Sequence, residues 1–204
     1  MIERAQTSGL VRRIVAFWHT SRGRVTARAG ARQDRGMRLV LLADTHIPKR
    51  ARDLPGVVWE AVDGADVVVH AGDWVSDEFC DVLVRRARQL VACHGNNDGP
   101  VLQRRLPRVA HVDLDGVRLG VVHETGSATG RERRCDAEHP DLDVLVFGHS
   151  HIPWDSVTPA GLRLLNPGSP TDRRRQPFAT FMTAEIRESA LVEVELLPLD
   201  VPAR

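Results

Sequence analysis

Leu39-Val40-Leu41-Leu42-Ala43-Asp44-Thr45-His46 is an unbroken apolar run that ends on an aspartate and, two positions later, a histidine. A run without polar alternation suits a strand buried on both faces, the kind found in parallel sheets. The pattern returns at Val67-Val68-Val69-His70-Ala71, which leads into Gly72-Asp73. Later apolar runs lead to Gly95-Asn96-Asn97-Asp98, to His123-Glu124, and to Gly148-His149-Ser150-His151. Asp44, His46, Asp73, Asn96, His123, His149 and His151 are all of metal-ligand type, and their groups recur every roughly 23 to 29 residues, about one strand plus one helix. If each run is a strand, all these side chains stand at carboxyl-terminal strand ends, where α/β sheets form their binding crevices.

Between the runs the periodicity changes. Val57 to Val62 suits a short helix, and from Asp77 to Arg88 the apolar Phe79, Val82, Leu83 and Ala87 are expected on one helical face. Leu90 to Cys93 reads as a third strand, so the first half is a β-α-β-α-β series with a parallel sheet. The second half turns antiparallel. Asp115-Gly116, set between Val112-Asp113-Leu114 and Val117 to Val122, marks a tight hairpin. Asp143 to Phe147 and Leu162 to Leu165 read as further strands, and Phe178 to Ile186 with Leu191 to Leu196 as a closing hairpin. Two packed sheets flanked by helices fit this series better than one open sheet.

With 204 residues, 42% hydrophobic and 27% charged, the chain can bury a sizeable core as a single soluble domain. A formal net charge of +1 gives no global electrostatic reason to bind nucleic acid or a membrane. No run approaches the ~18 apolar residues of a membrane span. Cys80, Cys93 and Cys135 are an odd, scattered set that makes a poor disulfide framework, which points to reduced thiols and a cytoplasmic location.

Residues 1–36 stand apart, with eight arginines against two acids and no sustained periodicity after Trp18. They are expected to form a basic, flexible extension, with the folded domain spanning 37–204. Such an arm meets an anionic partner, nucleic acid included, or is a transit-like extension, rich in arginine and poor in acid, or contributes little.

Carboxylate, amide carbonyl and imidazole donors suit hard and borderline divalent metals, and a set without thiolate argues against a structural zinc site. Asp44 and His46 deliver two donors from one loop. Asp73 has two carboxylate oxygens with which to bridge two ions, and Asn96 offers a neutral oxygen where another carboxylate would repel an anionic substrate. Singly these residues say little, since an aspartate after a strand is most often a helix cap and Gly-Asn-Asn-Asp makes a good turn. Their order and their shared position at strand ends carry the metal reading.

The series Asp44-x-His46, Gly72-Asp73, Gly95-Asn96-x-Asp98, His123 and Gly148-His149-x-His151, followed by Asn166-Pro167-Gly168-Ser169, resembles the calcineurin-like metallophosphoesterase superfamily. Within it the likeness is to the small YfcE-like phosphodiesterases and to the retromer subunit of similar fold, over about residues 37 to 197. The resemblance implies an α/β chain folded as a four-layer α/β/β/α sandwich of two mixed sheets, with two metal ions at the strand edges. One ion would take Asp44, His46 and His151, the other Asn96, His123 and His149, with Asp73 bridging. A hydroxide between the ions would attack phosphorus in line. Asp73, Asn96, Asn97 and Asp98 would then form the catalytic group, Asp98 as an orienting partner. Mn2+ is the expected ion, with iron, cobalt, nickel or zinc as substitutes.

Two departures matter. Many larger relatives have histidine directly after the asparagine ligand, where it protonates the leaving oxygen. Here that residue is Asn97, no acid near neutral pH, so a good leaving group is expected, or an acid from elsewhere such as His94. Glu124-Thr125-Gly126 stands where many relatives continue with Gly-His, so the pocket wall differs. Asn97, Glu124 and Arg131 are the candidate substrate contacts. The arginine clusters around Arg131 and at Arg173, Arg174 and Arg175 are either phosphate contacts or solvated surface. His70 is a candidate partner of the metal loops, and Trp74 and Trp154 are candidate walls of the cleft.

The expected function is a binuclear metal-dependent phosphoesterase acting on a small phosphodiester, with no membrane partner and with room for a homo-oligomer. Two other readings stand beside it. One is a non-catalytic protein-interaction scaffold of the same fold; the other is a nuclease acting on RNA or DNA, with the basic arm supplying affinity.

Overall fold

A computed structural model describes residues 26–27 and 36–200. After a two-residue strand β1 (Thr26–Ala27), the chain runs β2 (Met37–Leu42), α1 (Gly56–Gly64), β3 (Val67–Ala71), α2 (Asp77–Arg86), β4 (Leu90–Cys93) and α3 (Pro100–Arg105). The second half continues with β5 (Val109–Leu114), β6 (Val117–Val122), α4 (Arg131–Glu138), β7 (Val144–Val146), β8 (Trp154–Val157), β9 (Arg163–Asn166), β10 (Ala179–Arg187) and β11 (Ala190–Leu199). β2, β3 and β4 are parallel, with Leu39 opposite Val67 and Val69 opposite Val91. β10 and β11 extend this sheet antiparallel in the order β11-β10-β2-β3-β4, and the second sheet has the order β1-β5-β6-β7-β9-β8.

Alternation along each strand sorts the side chains into layers. Val40, Leu42, Val68 and Leu90 pack with Val58, Val62, Phe79 and Leu83 of α1 and α2. Leu39, Leu41, Val67 and Val69 face the other way and meet Val112, Leu119, Val121 and Val144 of the second sheet. The outer face of that sheet, Leu145 and Leu164 among it, lies under Cys135 of α4. The result is the expected α/β/β/α sandwich. Burial on both faces is why β2 and β3 read as continuous apolar runs.

The Asp115-Gly116 hairpin forms with both residues at positive φ, 48° and 93°, the backbone of a type I′ turn. α2 begins at Ser76, whose hydroxyl accepts from the Phe79 N–H at 3.1 Å, and it carries acids in its first turn and arginines in its last. Its buried face differs in detail from the periodicity. Cys80 and Val84 point inward with Phe79 and Leu83, whereas Val82 is 39% exposed. β8 and α3 carry no clear sequence signal, β8 because its half-exposed edge mixes polar and apolar residues without a buried run.

Of the amino-terminal extension, Thr26–Ala27 pairs in parallel with Asp113 and Leu114 of β5, and apart from Gly36 the rest lies outside the described residues. Cys80, Cys93 and Cys135 are buried free thiols. Among the described residues no helix is long and apolar enough to cross a membrane.

Candidate metal centre

Each candidate ligand stands just past the carboxyl end of a strand, Asp44 and His46 after β2, Asp73 after β3, Asn96 after β4, His123 after β6, and His149 and His151 after β7. Asp44, His46, Asp73, His149 and His151 hold left-handed backbone, with φ between 45° and 70°. Such conformations cost a non-glycine residue of order 1–3 kcal/mol each and persist only where surrounding structure enforces them. Here the loops brace one another. Asp44 N–H donates to Gly72 O and His46 N–H to Asp73 O, both at 3.0 Å, and Gly148 N–H donates to His123 O at 3.0 Å. The Asn166–Ser169 turn adds Asn166 Nδ2 on Gly148 O at 2.9 Å and Ser169 Oγ on Asp44 O at 2.7 Å. Gly95 lies so close that a Cβ there would sit 2.2 Å from Asp73 Oδ1, so only hydrogen fits.

The side chains form two groups joined by one carboxylate. In the deeper group, donor atoms of Asp44, His46 and His151 lie within 4.8 Å of one another, and all three residues are buried. His151 Nδ1 is 2.6 Å from Asp172 O, a carbonyl that can only accept. Nδ1 therefore carries the hydrogen, and the Nε2 lone pair faces Asp44 Oδ1 at 3.5 Å and His46 Nε2 at 3.2 Å. His123 repeats the arrangement, with Nδ1 2.8 Å from Ala71 O and Nε2 2.9 Å from Asn96 Oδ1. Outer partners of this kind set the tautomer of a metal-binding histidine. The second group closes with His149 Nδ1, also 2.9 Å from Asn96 Oδ1. Asp73 spans the two, with Oδ2 3.5 Å from His46 Nε2 and Oδ1 3.4 Å from His123 Nε2.

Burial is the largest influence on the charge of the donor set. Burial pushes Asp44 up to about 8, and the neighbouring Asp73 adds to the rise against the pull of His123. Its Oδ2 is buried without a hydrogen-bond partner. Burial draws His151 down to about 4 and lowers His46 as well, so both favour the neutral form in which imidazole binds metal. Burial works upward on Asp73, yet His123 and Asn97 hold its carboxyl below the usual range. Burial also works downward on His123, which Asp73 and Asp44 outweigh, leaving it raised. An orphaned carboxylate oxygen amid converging imidazole lone pairs, with no thiolate, is chemistry that a divalent cation satisfies.

The other sequence candidates fall in different places. Asp98 is buried, and its carboxylate accepts from the N–H groups of Gly95 at 2.7 Å, Val75 at 2.7 Å and Asp73 at 3.1 Å, so it fixes the backbone of two ligand loops. Val75 is held there at φ 80°, far from where a β-branched residue rests. Asn97 binds Asp73 twice, through its backbone N–H at 2.8 Å and Nδ2 at 2.6 Å. Glu124 Oε1 is 3.8 Å from His149 Nε2 at the open edge. Arg131 is buried between the rings of Phe147 and Trp154, 4.8 and 4.6 Å from their centroids, with Nη2 3.5 Å from Gly126 O. Trp74 is no cleft wall: it is fully buried, stacks on His70 at 3.5 Å and donates from Nε1 to Cys93 O at 2.9 Å. His70 is buried, with Nδ1 accepting from Gly72 N–H at 3.2 Å and Nε2 3.1 Å from Thr45 Oγ1, and so ties the first two ligand loops together. Sequence reading passed over Thr171 and Asp172, although they follow the Asn-Pro-Gly-Ser turn closely. Thr171 Oγ1 donates to Thr45 O at 2.6 Å, and Asp172 pairs with Arg50 at 3.1 Å.

Residues 37–189 match the calcineurin-like phosphoesterase superfamily domain. The chain belongs to this superfamily. A probable metallophosphoesterase of Methanocaldococcus jannaschii is 30% identical over 167 residues, 80% of this chain and 82% of that one. Another, from Methanothermobacter thermautotrophicus, is 31% identical over 66% of this chain and 78% of its own. Among solved structures, a Thermotoga maritima protein shares 28% identity with a TM-score of 0.64, covering 80% of this chain and 99% of its own. Vps29 of Chaetomium thermophilum, at 19% identity and a TM-score of 0.67, covers 82% of this chain and 99% of its own and shows the shared fold. Membership of this superfamily agrees with a donor set that could hold divalent metal at the strand ends.

Proposed function

We propose that the protein hydrolyses a phosphate ester, a diester in preference to a monoester, at a two-cation centre held by Asp44, His46 and His151 on one side and Asn96, His123 and His149 on the other, with Asp73 between. The observation that carries this reading is Asp73, which presents one carboxylate oxygen to each group. Mn2+ is the ion of choice for such oxygen and imidazole donors, and the cations would supply a nucleophile by lowering the pKa of bound water and would neutralise phosphate charge. The protein's own part is positional. Asp98 fixes the Asp73 and Asn96 loops, Asn97 fixes the Asp73 carboxylate, and Asp172 and Ala71 hold the imidazoles of His151 and His123 with Nε2 inward.

Two features favour a diester. Asn97 stands where a leaving-group acid would be and is spent on Asp73, which suits a leaving group that departs unaided. Glu124 places a carboxylate beside His149 at the open edge, where it repels a dianionic monoester more than a monoanionic diester. The unpaired thiols are consistent with work in a reducing cytoplasm.

The test is hydrolysis of bis-p-nitrophenyl phosphate against p-nitrophenyl phosphate by metal-stripped protein refilled with Mn2+. Diester turnover above monoester turnover is expected. Folded protein inert with manganese, iron, cobalt, nickel and zinc alike would make the interaction scaffold the better reading.

A further inference from the structure

The segment after the Asn-Pro-Gly-Ser turn is bolted beneath the metal loops by Ser169 on Asp44 O, Thr171 on Thr45 O, and Asp172 through both His151 and Arg50. The chain then turns at Arg174, an exposed residue held at φ 48°. Its Nη1 lies 3.4 Å from His149 O, a carbonyl at the rim of the centre. The neighbouring Arg173 is folded back onto Gln176 O at 2.6 Å, and Arg50 is paired with Asp172 at 3.1 Å. Among the described residues its guanidinium has only that one long contact, to a neutral oxygen, which leaves most of its five donors available; the backbone N–H donates to Asp172 Oδ1 at 3.4 Å.

Its charge has the wrong sign for a structural role in cation binding. Its guanidinium lies against the backbone oxygen of His149, itself a candidate ligand, so the positive charge stands beside the donor groups and must oppose cations held there. A guanidinium placed against cations gains when an anion arrives, and its planar fork matches phosphate oxygens. We propose that Arg174 is a substrate-binding residue that grips a non-bridging oxygen of the ester phosphate at the rim beside His149, a role that rests on the phosphoesterase reading above. Glu124 also approaches His149, with Oε1 3.8 Å from Nε2.

The experiment compares manganese-loaded wild type, Arg174→Ala, Arg174→Gly and Arg175→Ala. It measures inorganic phosphate binding by calorimetry, Mn2+ affinity, and KM for bis-p-nitrophenyl phosphate. Glycine suits the left-handed backbone and separates loss of the side chain from loop strain. Both Arg174 variants are expected to weaken phosphate binding and raise KM about tenfold, the scale of one charged hydrogen bond, with Mn2+ affinity unchanged or tighter. Arg175→Ala, an equal change of charge on an exposed neighbour, should stay within about twofold. Unaltered phosphate affinity and KM in both Arg174 variants overturn the proposal, as does a loss of Mn2+ affinity that matches the loss of phosphate. Arg174-dependent phosphate binding without turnover keeps the clamp and removes the hydrolase; turnover with Arg174-independent phosphate binding does the reverse.

Discussion

The two halves of the candidate centre are built to different standards of enclosure. The side chains of Asp44 and His151 are fully covered, whereas His149 is 43% and Glu124 55% exposed. At the deep end the Asp172 carbonyl holds His151 and the His149 N–H holds Asp44. In the other half the Ala71 carbonyl pins the buried His123 in the same way, whereas Asn96, His149 and Glu124 stand on loops open to solvent. A cation held by the covered donors should be retained, and one held at the rim should exchange and be the first to meet substrate. Enclosure, more than donor chemistry, separates the two.

Asp73 is the point where the comparison breaks most completely, because one carboxylate serves both halves. Asp73→Asn is expected to abolish occupancy of the pair and to lower diester turnover by at least ~10³-fold, beyond the loss of a single stabilising donor. Metal content by elemental analysis and turnover should fall together. Retention of two equivalents of Mn2+ by this variant would remove Asp73 from the bridging role.

Replacing one histidine from each half sharpens the contrast. His151→Ala should eliminate the tighter of two Mn2+ binding phases, by more than the ~10–100-fold that loss of an outer partner costs. His149→Ala should spare that phase and weaken the other. Calorimetric titration distinguishes the two, and equal effects on both phases would mean that the halves act as one site.

Much of this arrangement is legible in the sequence because its causes are local. β2 and β3 read as strands since both faces are covered, and Asp115-Gly116 reads as a hairpin because its backbone needs two positive φ angles. The candidate ligands are legible because each follows such a run. What escaped depends on distant contacts. Thr171 reaches Thr45 across 126 residues, and no periodicity reports that. Trp74 looked like a cleft wall from its place beside Asp73, but the φ of 80° at Val75 accompanies a ring turned inward onto His70. Arg131 looked like a phosphate contact, and its guanidinium lies between Phe147 and Trp154.

Asp98 tests whether the order of the ligand loops is imposed from outside the donor set. Asp98→Ala leaves the N–H groups of Asp73, Val75 and Gly95 without their acceptor. Mn2+ affinity is expected to drop ~10–100-fold and the Tm to fall, since each buried N–H left unpaired costs about 1–3 kcal/mol. Asp98→Asn, which keeps one acceptor oxygen, should land between the two. An unchanged Mn2+ affinity in the alanine variant would show that the loops hold their left-handed turns unaided.

Glu124 gives the smallest effect and bears on the rim alone. Its carboxylate is exposed, so its repulsion of a dianion is screened by water and salt. Glu124→Gln removes the charge at nearly constant shape, and should raise p-nitrophenyl phosphate turnover relative to the diester by about two- to fivefold at low ionic strength. Added salt should shrink the difference, because the charge acts through solvent and not through a fixed hydrogen bond. The deep half predicts no change in the tight Mn2+ phase. If the monoester-to-diester ratio stays constant, the preference for diesters lies in the missing leaving-group acid at Asn97. If the tight phase weakens instead, the two halves are coupled through His149 and the distinction between a retentive floor and an exchangeable rim is lost.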